Sequence, residues 1–219
     1  MFDLVIFDFD GVLVDSERLA VRTEVEVLAE LGWPLREDEV IDRFVGRSAA
    51  HMRAEVQRAL GREVDWESEF EARYREVFAD ELEAVAGVPA MLASLQAAGT
   101  SMCIASSSTH SAIAWKLSLV GLIGPFDGAV FSVEDVDAGK PAPDVFLHAA
   151  SSMGVPPGRC AVVEDSLSGV EAGLAAQMSV FAYAGGVTPA ARLALPGVTV
   201  FSRMDQLAGL LATAGSPLP

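Results

Sequence analysis

The sequence predicts an α/β protein: a doubly wound parallel sheet interrupted early by a helical insertion. Three observations predict it. Short apolar runs recur along the chain, helical patterns separate several of them, and the stretch from about 16 to 85 holds helical periodicity without a comparable buried strand. Size agrees with this plan, because 219 residues accommodate one α/β domain plus a modest insertion, and 51% hydrophobic content fills its core.

The first run, Leu4 to Phe9, carries β-branched residues and is too short for a helix, so it reads as a buried parallel strand. The insertion follows, assigned to 16–85, with 1–15 and 86–219 forming the core and the crossings near 15 and 85 acting as hinges. Ser16 is placed as the cap of its first helix, with Val21, Val25 and Leu28 on one face and Gly32 and Pro34 at its end. Further helices are predicted near Glu37 to Phe44, Ala49 to Leu60 and Trp66 to Leu82. Pro89 then suits a first helical position, Met91, Leu92 and Leu95 mark one face, and Gly99 suits the position past the last turn.

That helix leads into the second strand, Ser101 to Ala105. Similar runs at Ala129 to Phe131, Cys160 to Val163 and Ser179 to Tyr183 complete the predicted sheet. Ser166 and Gly169 open a helix whose Leu167, Val170 and Leu174 are expected to face the sheet. The Gly-Ser-Pro-Leu-Pro end is expected to be disordered.

Composition narrows the function. No apolar run approaches the roughly 20 residues of a spanning helix, and the start carries no basic leader, so a cytoplasmic protein without a membrane partner is expected. A net charge of −16 without a basic run argues against nucleic acid as a partner. Cys103 and Cys160 sit in apolar segments and read as buried thiols.

Open α/β sheets bind ligands at the carboxyl ends of their strands, so the polar residues after each apolar run should converge on one crevice. Four sets do so here: Asp8 to Asp15, Ser106-Ser107-Ser108-Thr109, Lys140 to Asp144, and Glu164-Asp165-Ser166. Acids two positions apart on a strand face the same way, and packing like charges together is costly unless a cation lies between them. Asp8, Asp10 and Asp165 offer oxygen ligands without His or Cys, which favours Mg²⁺ over zinc. Lys140 and the donors around Ser106 would hold a phosphate against that ion.

With those motifs in place, the sequence resembles the haloacid dehalogenase (HAD) superfamily, in the branch of β-phosphoglucomutase and related sugar-phosphate phosphatases. The resemblance covers nearly the whole chain: aspartate, any residue, aspartate, glycine at Asp8 to Gly11, the serine motif at Ser106, the lysine motif at Lys140, and the acid motif at Glu164 and Asp165. It implies a Rossmann-like core with an inserted α-helical cap, and a Mg²⁺-dependent phosphomonoester hydrolase acting on a small phosphorylated metabolite, a sugar or sugar-acid phosphate, through an aspartyl phosphate. Asp8 would be the nucleophile and a metal ligand, and Asp10 the general acid and base with its main-chain carbonyl on the metal. Ser106, Ser107 and nearby main-chain amides would hold phosphate oxygens, Lys140 would pair with phosphate and Asp8, Asp165 would complete the metal shell, and Glu164 would act behind it or through water. Phosphate monoester hydrolysis can demand acceleration of up to about 10²¹-fold. General acid and base catalysis supplies about 10²–10⁴ of that, which leaves the rest to the metal, the lysine and the covalent step.

Within this resemblance, Val12 replaces a common threonine and Gln177 stands where many relatives carry glycine. Substrate specificity is assigned to Ser16, Glu17, Arg47 and Arg75, with Arg73 beside them, and to His110, which follows the serine motif. His51 reads as a solvated helical residue and His148 as structural. A sugar-phosphate mutase of the β-phosphoglucomutase type is the nearest rival. The histidine of that enzyme's first cap helix has no counterpart in Arg18-Leu19-Ala20, and Ala49 stands in place of a loop arginine, so hydrolysis is favoured. A dehalogenase or phosphonatase has no use for the second acid at Asp10, and a non-catalytic phospho-ligand binding protein would have lost one of the four motif residues. The stretch from Phe78 to Gly87 resembles bacterial phosphatases of sugar acid phosphates such as 6-phosphogluconate. A monomer or weak homodimer is expected.

Overall fold

The structure, a computed structural model, describes residues 2–47 and 49–214. Ser48 and the predicted disordered end lie outside the described residues. Six strands form one sheet: β1 (Leu4–Phe7), β2 (Ser101–Ser106), β3 (Val130–Ser132), β4 (Cys160–Glu164), β5 (Ser179–Tyr183) and β6 (Val198–Phe201). All neighbours are parallel and the order is β3-β2-β1-β4-β5-β6. Strand order reverses direction at β1, so the crevice between the ends of β1 and β4 is the natural ligand site of this topology.

The uninterrupted apolar run of β1 is explained by burial on both faces. Val5 and Phe7 pack with Met91, Leu92, Ile113 and Leu117 on one side, and Leu4 and Ile6 pack with Val145, Phe146 and Val170 on the other. Helices cover each face: α5 (Val88–Ala97), α6 (His110–Val120) and α10 (Leu207–Ala214) on the first, α7 (Asp144–Ser152) and α8 (Leu167–Ala175) on the second, with the short α9 (Ala190–Leu193) beside α8.

Between β1 and α5 the chain adds no strand. It forms α1 (Ser16–Glu30), α2 (Glu37–Phe44), α3 (Ala49–Leu60), a π-helical turn over Glu67–Glu71, and α4 (Ala72–Glu81). These elements enclose an apolar cluster of their own around Val27, Leu28, Val40, Val56 and Phe70. The outgoing and returning chains pair with each other: Asp15 N donates to Glu83 O at 3.0 Å, Val85 N donates to Leu13 O at 3.0 Å, and Val14 bridges Ala84.

Four local expectations change. Ser16 is the first residue of α1 rather than its cap; Asp15 takes the cap position, and the Ser16 hydroxyl is committed to Asp10 instead. Leu167 is exposed, because the sheet-facing stripe of α8 is Gly169, Val170, Ala172 and Gly173. The third strand lies one residue later than predicted, its register set by Ile104 opposite Val130. The edge strand β6 was not predicted, because Val198–Phe201 is only four residues long and mostly half-buried, giving little hydrophobic pattern to read.

Candidate active site

Strand register brings the four motif sets together. Phe7 stands opposite Ile104 on β2 and Val163 on β4, so Asp8 emerges level with Glu164, and Asp8 N donates to Val163 O at 2.9 Å. Asp8, Glu164 and Asp165 form a buried acidic cluster in which one oxygen from each lies within 4.8 Å of the others. Lys140, from the loop before α7, enters this cluster with its side chain buried. Its ammonium bonds Asp8 Oδ1, Glu164 Oε1 at 2.8 Å and the Ala105 carbonyl at 3.0 Å, and lies 4.7 Å from the Phe146 ring centre.

Glu164 is held as an anchor. Its Oε2 accepts from Asp165 N and Ser166 N, both at 2.9 Å, and from Ser166 Oγ at 3.0 Å, while Oε1 faces Lys140. A Cβ at Gly169 would stand 1.7 Å from Glu164 Oε1, so the glycine creates the space this carboxylate fills.

Electrostatics point to missing positive charge. Burial pushes Asp8 up to about 8, with Glu164 and Asp10 adding to the shift against the opposing Lys140. Asp165 is raised well above the usual carboxylate range by burial and by Glu164, Asp8 and Glu17. Burial alone would lower Lys140, but Asp8 and Glu164 outweigh it and keep its ammonium protonated. One lysine cannot neutralise this many carboxylates. Asp165 Oδ2 is buried without a hydrogen-bond partner, and a hard divalent cation fits both this orphaned oxygen and the all-oxygen donor set.

Asp10 stands apart from that cluster. Its Oδ1 accepts from Ser16 Oγ at 2.6 Å and from the Lys116 ammonium, and its Oδ2 accepts from Ser108 Oγ at 2.7 Å. Burial would raise its pKa, but Lys116 and the two hydroxyls outweigh that and hold it below the usual carboxylate value. Lys116 is the functional candidate that sequence reasoning missed. The available signal was a lysine inside the apolar stripe of α6, between Ile113 and Leu117, where it is buried.

The serine motif contributes unequally. Ser106 is buried and its Oγ accepts from Ser108 N at 3.0 Å, whereas Ser107 is exposed at the strand end. Among the specificity candidates, Glu17 is brought to the crevice, with its Cγ 3.1 Å from the position a Gly11 Cβ would take. Burial, Asp10 and Glu24 push it up to about 8. Arg47 is exposed on a turn whose Gly46 carbonyl accepts from Ser168 Oγ at 3.2 Å, at the start of α8. Arg75 is tied to Glu67 and Arg73 to Glu30 within the insertion. His110 is engaged with Asp135, at 2.8 and 3.0 Å from its two oxygens. His148 packs edge-on against Phe131, and both cysteines are free and buried.

A family model for haloacid dehalogenase-like hydrolase matches residues 2–177. The chain belongs to that family. It is 31% identical over 217 residues to 6-phosphogluconate phosphatase of Escherichia coli K12, covering 97% of this chain and 96% of the relative. Hexitol phosphatase A of the same organism is 33% identical over 181 residues, 81% of each chain. Among solved structures, a HAD family hydrolase from Deinococcus radiodurans R1 with bound phosphate and sodium superposes with a TM-score of 0.82 at 32% identity, covering 98% of this chain and 96% of the other. The haloacid dehalogenase-like fold thus accounts for the sheet order and for the strand-end position of the acidic cluster. Among the described residues, no helix is long and apolar enough to cross a membrane.

Proposed function

We propose that this hydrolase is a Mg²⁺-dependent phosphatase of small phosphorylated metabolites, with Asp8 as the nucleophile. The observation that carries the reading is the Asp8 carboxylate at the end of β1, oriented by the Lys140 ammonium and adjoining the unpartnered Asp165 Oδ2. Asp8, Asp165 and the Asp10 carbonyl would hold the ion, with Glu164 behind them. The chemistry supplied by Mg²⁺ held there is neutralisation of negative charge on the phosphate and the carboxylates.

Asp8 forms a bond to phosphorus as the ester oxygen leaves, and Asp10, which rests as a carboxylate beside Lys116 and takes up a proton as substrate binds, gives that proton to the leaving oxygen, releasing an alcohol. Asp10, now a carboxylate, takes a proton from water as the water oxygen bonds phosphorus and the bond to Asp8 breaks. This returns Asp8 and releases inorganic phosphate. Lys140 and the Ser106 loop hold the transferring group, and residues 16–85 act as a cap that excludes water from the crevice.

The relatives named for 6-phosphogluconate and hexitol phosphates support a sugar or sugar-acid phosphate as substrate. Hydrolysis is favoured over a mutase by Arg18, which is exposed and paired with Asp15 at 2.5 Å in the region where the mutase carries its histidine. A phosphate-release screen over sugar phosphates, sugar acid phosphates, phosphoglycolate and nucleoside monophosphates tests the proposal, with Asp8→Asn as the blank. Mg²⁺-dependent release that vanishes in Asp8→Asn is expected. Conversion of β-glucose 1-phosphate to glucose 6-phosphate without phosphate loss would overturn it in favour of the mutase.

A further inference from the structure

We propose that Lys116 is the positioning residue of Asp10, fixing where the acid/base carboxylate stands and linking that position to the helical insertion. The inference rests on the reading of Asp10 as proton donor and acceptor. Lys116 is 8% exposed, and its ammonium bonds Asp10 Oδ1. A buried ammonium needs a partner, and Asp10 is the carboxylate it bonds. Two aromatic rings also attract the Lys116 ammonium, which lies 5.9 Å from the Phe9 ring centre and 5.1 Å from that of Phe78.

These neighbours come from different parts of the molecule. Phe9 follows β1 and Lys116 belongs to α6, whereas Phe78 belongs to α4 of the insertion. The other two groups on Asp10 divide the same way, with Ser108 in the loop after β2 and Ser16 at the start of α1. A hydroxyl can turn and either donate or accept, so neither serine alone dictates where the carboxylate stands. Lys116 only donates, and its ammonium is held by both rings as well as by Asp10. It therefore fixes the orientation of Asp10, and Phe78 makes that orientation depend on where the insertion sits.

The test separates proton donation from phosphoryl transfer. The phenolate of p-nitrophenyl phosphate departs without a proton, whereas phenyl phosphate, nearly the same shape, gains from one. The ratio of their kcat/KM values reads donation by Asp10 during loss of the leaving group. In Lys116→Met, which keeps the stem length, kcat/KM is expected to fall at least about tenfold more on phenyl phosphate than on p-nitrophenyl phosphate, a share of the total available to acid catalysis. Lys116→Arg restores the ratio to within about threefold of wild type. Asp10→Asn shifts the ratio in the same direction, and adding Lys116→Met to it causes no further shift, as expected for two residues acting through one group. The ratio for the variants that lack Asp10 is read from the single-turnover burst of leaving group, and circular dichroism with thermal unfolding shows that each variant is folded. Equal losses on both esters in Lys116→Met, or effects that multiply in the double variant, overturn the proposal. An unshifted ratio in Asp10→Asn overturns instead the acid/base reading beneath it.

Discussion

A Cβ on Gly11 would stand 2.0 Å from Asp165 Oδ2 and 2.8 Å from Asp165 Cγ, inside the space the carboxylate occupies. The turn after β1 therefore closes onto the end of β4 only because residue 11 has no side chain. Its φ of +77° adds a second reason for glycine.

Gly11→Ala should consequently lose activity far beyond its effect on folding. The left-handed conformation costs roughly 1–2 kcal/mol for a residue with a Cβ, while displacement of Asp165 disturbs the proposed metal site directly. Phosphate release is expected to fall by about 100-fold or more, and thermal unfolding measured alongside should show only a modest drop in Tm.

Mg²⁺ should stabilise the protein through the same carboxylate. At 100 times its dissociation constant a ligand adds about 2.7 kcal/mol, roughly 5–10 °C in Tm for a chain of this size. Asp165→Asn should abolish that shift. Because burial and the neighbouring acids hold the Asp165 carboxyl well above its unfolded value, charging it opposes folding, and the asparagine variant without Mg²⁺ should be the more stable at pH 8. Differential scanning calorimetry with and without Mg²⁺ reads both effects.

Glu24 predicts a pH dependence away from the acidic cluster. It is buried, its Oε1 accepts from Tyr74 at 2.8 Å, and its Oε2 has no partner. Burial pushes it up to about 7 against the opposing Tyr74 bond. The folded state thus retains a proton that the unfolded chain releases at lower pH, so stability declines as pH rises from about 4.5 to about 7. Glu24→Gln should remove that decline, gaining on the order of 2–3 kcal/mol at pH 8 and nothing near pH 4. Urea titrations at the two pH values measure the difference.

Gln177 is the single residue other than glycine with positive φ among the described residues, at +59° just after α8. Gln177→Gly should relieve this strain and raise stability by about 0.5–1 kcal/mol, after allowing for the greater freedom of glycine in the unfolded chain. Kinetic constants should not change, because Gln177 is exposed and outside the acidic cluster.

The parallel sheet was legible because β1, β2, β4 and β5 are dense apolar runs ending in polar residues. Asp8, Lys140 and Glu164-Asp165 could be brought together because polar residues that follow parallel strands converge on one crevice. Two features of the site were not legible. Lys116 lies on a helix, and its meeting with Asp10 depends on the placement of α6 over the sheet, which no local spacing encodes. Ser16 reads from sequence as a helix cap, and its bond to Asp10 is made where the chain turns out of β1, close to the bridge between Val14 and Ala84, about 70 residues apart in sequence.

That return has a wider consequence. Since Asp15 N meets Glu83 O at 3.0 Å, the insertion leaves and rejoins the core through adjoining peptide groups. The sheet therefore registers only that the two ends meet, not how many residues intervene. Segments of other lengths can join at this seam without shifting β1 relative to β4, whereas Asp10, bonded by Ser16 at the start of α1, would register the exchange.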